Sequence, residues 1–145
     1  MGRILAVDFG EKRIGLATSD AGGSLSTPRR TVRRTGDDAA IAEIAGFARE
    51  EEIELIVVGI PRSPEGAESA IAARIRSFAR KLAAGTGLEV RFHEETLTSD
   101  EALRRLPPGS GRDAVDRTAA AVLLEDYLSA AGAAAGPDAG GGKPR

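Results

Sequence analysis

At 145 residues the chain has room for one domain, and its 41% hydrophobic content is enough to give that domain a core. Aromatics make up only 3%, with no Trp and one Tyr, so the core must be built from Ile, Leu, Val and Ala. A net charge of -2, from 20 basic and 22 acidic residues, excludes a protein that grips polyanions by bulk charge alone; the absence of Cys excludes disulfides, thiolate metal sites and cysteine nucleophiles.

Residues 3–8 read as a short apolar strand ending in Asp8-Phe9-Gly10. Its apolar run is too short, and too soon interrupted by Asp8, for a signal peptide. No later run reaches membrane-spanning length, so the expected location is cytoplasmic with no membrane partner. After a turn at Gly10-Glu11-Lys12, residues 13–18 form a second strand, in which Gly15 avoids crowding. Residues 24–33, which include Pro28, form a third at an edge. The short connections predict an antiparallel meander.

The period then changes. Ile41, Ile44, Ala45 and Ala48 share one face of a helix over 38–50. Glu54 to Val58 is a continuous apolar run, the pattern of a parallel strand covered on both sides. A loop over 62–66 precedes a helix over 67–84 that aligns Ile71, Ile75, Phe78 and Leu82 and stops at Gly85 and Gly87. Leu88, Val90 and Phe92 alternate with Glu89, Arg91 and His93 in a fifth strand. Thr98-x-x-Glu101 is a capping box opening a short helix, closed by Pro107-Pro108-Gly109. Ser110-x-x-Asp113 can cap a last helix over 111–130. Residues 132–145 read as a disordered Gly/Ala/Pro-rich tail, leaving 1–131 as the folded domain. The order βββαβαβαα predicts an α/β fold: a mixed five-stranded sheet, three antiparallel strands followed by parallel ones, with helices on both faces.

Asp8 ends its strand near the polar rim, where α/β sheets place their chemistry. Glu94 and Glu95 lie just beyond the fifth strand. Asp116 has Ala119, Ala120 and Leu123 as helical neighbours, so it sits on or beside the apolar face, where a carboxylate needs a partner, a metal or a water channel. Together Asp8, Glu95 and Asp116 predict a two-ion site for Mg2+ or Mn2+, able to hydrolyse a phosphodiester bond, with Asp8 as bridging ligand. Taken singly, Asp8 also reads as a turn former, Glu95 as half of a solvated acidic pair, and Glu94 as its solvated neighbour.

The basic residues have two readings as well. Arg62, after Gly59-Ile60-Pro61, either meets a phosphate or belongs to a rigid turn. Arg112 and Arg117 flank Asp116 and are candidates for phosphate contacts. Lys12 and Arg13, with Arg3, Arg29, Arg30, Arg33 and Arg34, either line a nucleic-acid path or guard an edge strand with charge. Thr98 and Ser99 start a helix whose free N–H groups can also receive a phosphate. His93 reads as an ordinary strand-end residue in preference to a proton carrier.

In combination, several of these segments resemble the YqgF/RuvX family of bacterial ribonuclease-H-like proteins. They are Ile4-Leu5-Ala6-Val7-Asp8-Phe9-Gly10, Lys12-Arg13-Ile14-Gly15-Leu16-Ala17 with Ser19-Asp20, Val57-Val58-Gly59-Ile60-Pro61 with Gly66, Glu94-Glu95-Thr96-Leu97-Thr98-Ser99, and Val115-Asp116-Arg117-Thr118-Ala119-Ala120. The resemblance spans residues 3–130 and implies a ribonuclease-H-like fold. It carries the family's acidic residues onto Asp8, Glu95 and Asp116 as catalytic metal ligands. It implies an endonuclease acting on structured RNA, processing the 5′ end of precursor 16S rRNA, with a ribosomal partner possible. The alternatives are a resolvase of branched DNA, such as a Holliday junction, and a non-catalytic RNA-binding ribosome-assembly factor. A resolvase needs a homodimer to place two sites symmetrically, whereas an RNA nuclease can act as a monomer or homodimer. Two positions depart from the family pattern: Thr96 stands where Arg is usual, and Arg62-Ser63-Pro64-Glu65-Gly66 matches the usual Leu-Asn-Met-Asp-Gly only loosely.

Overall fold

Strands β1 (Arg3–Asp8), β2 (Arg13–Ser19), β3 (Ser26–Arg33), β4 (Ile53–Pro61) and β5 (Glu89–Glu95) form one sheet in the order β3-β2-β1-β4-β5. The structure, a computed structural model, describes residues 2–62, 69–95 and 98–140; for Glu95, Thr98, Ser99 and residues 133–140 it describes the backbone alone. The β1–β2 and β2–β3 pairs are antiparallel, and the β1–β4 and β4–β5 pairs are parallel. This is the mixed five-stranded sheet expected. The helices are α1 (Asp37–Glu50), α2 (Ala70–Thr86), α3 (Thr98–Arg105) and α4 (Arg112–Gly140). None of the described helices is long and apolar enough to cross a membrane.

Strand alternation divides the core in two. Leu5, Val7, Ile14, Leu16, Ile56 and Val58 face α1 and α2, where they meet Ile44, Phe78 and Leu82. Ile4, Ala6, Ala17 and Val57 face α4, where they meet Ala120, Leu123 and Leu124. Each fully buried large side chain contributes about 1.5–3 kcal/mol of transfer free energy. The two layers differ in bulk. Alanines dominate the α4 side, so that helix lies close to the sheet. At Gly15 the approach is closest: a β-carbon there would overlap the backbone carbonyl of Asp116.

Several boundaries differ from the sequence reading for identifiable reasons. β3 begins at Ser26, because the Asp20 carboxylate accepts the Ser24 and Leu25 amides, both at 2.8 Å, and folds that segment into a turn. These amides hold the Asp20 carboxyl below the usual carboxylate range. β4 extends to Pro61 because β5 pairs with it as far as Glu95. α2 continues through Gly85 and ends at Gly87, whose φ of 75° is left-handed. Gly85 is needed inside the helix, since a β-carbon there would come within 2.6 Å of the Ile41 side chain. Its N-cap is Ser69, whose hydroxyl accepts the Ala72 amide; residues 63–68 lie outside the described set. In α3, Glu101 holds Arg104 at 2.6 Å and Arg105 at 3.1 Å, while the Thr98 side chain lies outside the description. Ser110 does not cap α4: its hydroxyl donates to the Pro107 carbonyl at 2.6 Å. The α4 backbone continues to Gly140, into the segment read as disordered from residue 132. Ala133-Ala134-Ala135 has the composition to carry a helix past Gly132.

Asp37, in the first turn of α1, ties that helix to α2 and to the connection after β3. Its carboxylate receives Arg34 at 2.8 Å, Arg74 at 2.9 Å and Lys81 at 3.1 Å, and its side chain is 9% exposed. Hydrogen bonds from Arg74, followed by those from Arg34 and Lys81, hold its carboxyl far below the usual carboxylate range. Replacing it by Asn will cost about 2 kcal/mol, in the range for charge-assisted hydrogen bonds. The folded pKa is depressed, so this stability is fully present above the unfolded value and is lost as pH falls below about 4 toward the folded one. Urea unfolding of parent and Asp37→Asn should therefore differ by a constant amount above about pH 5 and converge in stronger acid. A gap that persists unchanged at pH 2 would show that charge is not its source.

Candidate active site at the sheet rim

β1, β4 and β5 are parallel, so their C-terminal ends share one rim. Asp8 is the last residue of β1 and pairs with Gly15 of β2. It is half-buried, and alternation puts it on the α4 side together with Ile4 and Ala6. Gly15 in turn touches the backbone of Asp116. A single glycine thus separates β1's terminal acid from the α4 acid, although the two lie far apart in sequence. Glu95 ends β5 opposite Pro61, with β4 between it and β1. At normal strand spacing its backbone lies about 10 Å to the side of β1. Its side chain is outside the description, and the described residues contain no cluster of three acidic or histidine ligands.

One oxygen of Asp116 already has a partner. Arg13, the first residue of β2, places Nε 2.6 Å from Asp116 Oδ2. Both side chains are about one-fifth exposed, at 19% and 22%. The sequence reading put Arg112 and Arg117 nearest this carboxylate and Arg13 on a phosphate path; the guanidinium on Asp116 is Arg13's. Carboxylate oxygens are the donors hard divalent ions prefer, so Asp8 and Asp116 fit Mg2+ or Mn2+ chemically. A cation at Asp116 Oδ2 would have to compete with Arg13 for that oxygen.

Arg13 also lines a neighbouring, strongly basic recess of about 380 Å³. Arg13, Arg33, Arg112 and Arg117 line it, with Asp113 as the one acid. Arg33 pairs with Asp113 at 3.3 Å, while Arg112 and Arg117 have no ion-pair partner among the described residues. Arg33 was not singled out above the other arginines of its stretch. The signal was its parity: Thr31 and Arg33 reach α4 at Asp113, whereas Arg29 and Arg30 stack on Phe47 of α1 and Arg34 binds Asp37. The basic stretch therefore divides between two faces. Lys12 and Arg62 are exposed, and neither side chain has a polar partner among the described residues. Arg62 follows directly on β4, at the rim where Glu95 ends β5. Thr98 and Ser99 open α3, with side chains outside the description. His93 Nε2 lies 2.6 Å from Asp126, and its ring meets Tyr127 edge-on, a contact that ties β5 to α4.

The profile of the RuvX family, described as Holliday junction resolvase, matches residues 2–130. The chain belongs to the RuvX family. A relative from Nitratidesulfovibrio vulgaris (strain DSM 19637 / Miyazaki F), provisionally named a pre-16S rRNA nuclease, is 39% identical over 132 residues, covering 88% of this chain and 93% of its own length. One from Syntrophus aciditrophicus, with the same provisional name, is 39% identical over 133 residues, covering 88% and 89%. Among solved structures, Thermus thermophilus RuvC in complex with a Holliday junction superposes with a TM-score of 0.55 at 12% identity, covering 89% of this chain and 95% of that one. That identity carries the ribonuclease-H-like fold alone.

Proposed function

We propose that this RuvX protein is a metal-dependent endonuclease that acts on structured RNA in the cytoplasm and processes the 5′ end of precursor 16S rRNA. The observation that carries the reading is that Asp8 pairs with Gly15, the residue on which the Asp116 backbone packs, at the end of the sheet where Glu95 also terminates its strand. Asp8, Glu95 and Asp116 would hold Mg2+ or Mn2+. When bound, such ions activate a water and offset the charge that gathers on phosphorus. Arg112, Arg117, Arg62 and Lys12 have cationic groups to spend on phosphates of the same strand, and the start of α3 at Thr98 and Ser99 offers backbone donors. The near-neutral whole-chain charge makes this recognition local, not a matter of bulk attraction. The names of the curated relatives favour RNA over the branched DNA of the family description.

Purified protein incubated with precursor 16S rRNA and with a four-way DNA junction, in Mg2+, Mn2+ or EDTA, tests the reading. Cleavage of the RNA in either metal, none in EDTA, and an intact junction are the expected results. Junction cleavage with intact RNA would move the protein to the resolvase reading. Binding of RNA without cleavage in any metal would make it an assembly factor.

A further inference from the structure

The recess beside Asp116 has more cationic charge than its surroundings neutralise. Arg13 and Arg33 are direct cross-strand partners, an arrangement of like charges that disfavours a sheet unless anions intervene. Each is held by an acid of α4, Arg13 by Asp116 and Arg33 by Asp113. Arg112 and Arg117 add two further guanidinium groups to the same 380 Å³ recess, and Arg117 is half-buried without an acidic partner among the described residues. A half-buried guanidinium lacking a counter-charge is costly, and a tetrahedral dianion or a phosphodiester is the group that best satisfies a set of such forks. Arg13 belongs to both places: its Nε closes on Asp116, and its side chain lines the recess.

We propose that the recess receives a backbone phosphate of the substrate strand, and that Arg13, drawn toward that phosphate, releases Asp116 for the divalent ion. The inference rests on the assignment of Asp116 as a metal ligand. Arg13 neutralises Asp116 through Oδ2, so a cation taking that oxygen has to displace a guanidinium of β2. An anion in the recess gives the guanidinium a second place to go, and cation binding at Asp116 becomes coupled to substrate.

Mn2+ affinity of the full chain, measured by titration calorimetry or electron paramagnetic resonance, reads this coupling without any turnover. Sodium sulfate stands in for phosphate, with sodium chloride at equal ionic strength as control. Sulfate should tighten Mn2+ binding in the parent by severalfold, and chloride should not. Arg13→Gln should bind Mn2+ about tenfold tighter without sulfate, a change of about 1.4 kcal/mol, and gain nothing further from it. Arg117→Gln should lose the response to sulfate. In metal-free buffer a 2′-O-methyl RNA hexamer should shift the Nε–Hε resonances of Arg13, Arg33, Arg112 and Arg117 at far lower concentration than sulfate, which separates a strand phosphate from a free anion. If sulfate shifts them at concentrations as low as the hexamer does, the recess takes free anions and the strand-phosphate assignment is overturned. Mn2+ binding that depends on Asp116 but is indifferent to Arg13 and to sulfate would overturn the coupling alone. Mn2+ binding unaffected by Asp116→Asn would overturn the metal-ligand assignment, and the coupling with it.

Discussion

Asp8→Asn will lower metal-dependent RNA cleavage by about 10²–10³-fold or more, the scale seen when one group that stabilises developing charge is removed. Asn keeps the shape and one oxygen of Asp8 but removes the charge that attracts a hard cation. The fold should tolerate the change. Asp8 lies at the half-buried end of β1, beyond the fully buried Leu5, Ala6 and Val7 that anchor the strand. Cleavage of precursor rRNA under single-turnover conditions, alongside a thermal melt, separates the outcomes. A variant that melts like the parent and cleaves at the parental rate would take Asp8 out of the site; one that melts early would say nothing about chemistry until refolded protein was assayed.

The sheet was legible because its signals are local. The alternation of Leu88, Val90 and Phe92 and the unbroken apolar run through Ile56, Val57 and Val58 each report the surroundings of one strand, and the order of periods then restricts the topology. Asp116 was legible for a similar reason, as an acid beside Ala119 and Ala120 on a buried helix face. The partner of Asp116 was not. Arg13 lies 103 residues away, and only the packing of α4 on β2 brings the two together. The split of the arginine stretch was partly readable. Val32 is buried against α1 and α2, so its neighbour Arg33 had to face the other way, but the register shift between Leu16 and Ala17 obscures the parity further along β3. Ser110 misled because Ser-x-x-Asp is a sound cap pattern, and the local competitor, a carbonyl three residues back at Pro107, is itself within the hydroxyl's reach.

Gly15 is where fold and chemistry meet, and Gly15→Ala should damage both. β2 is an interior strand, paired with β1 through Gly15 itself and with β3 through Thr31, so it cannot retreat from α4. α4 is held in turn by Leu123 and Leu124, buried against Ile4, Ala6 and Val57. A methyl group at position 15 would overlap backbone, the Asp116 carbonyl, where no rotamer change gives relief. The substitution should cost about 3 kcal/mol, the upper end for overpacking of a close-packed site. Gly46→Ala is the control: in α1, a β-carbon there meets only the flexible end of Arg49, at 3.9 Å. Its removal of backbone freedom should stabilise by about 0.5–1 kcal/mol. Urea unfolding of the two variants therefore gives shifts of opposite sign. In Gly15→Ala, any chain that still folds must move Asp116 away from Asp8, and cleavage should fall further than the folded fraction does. If cleavage per folded molecule were unchanged, the spacing across Gly15 would have no part in the chemistry, and the two acids would have to act through some other arrangement.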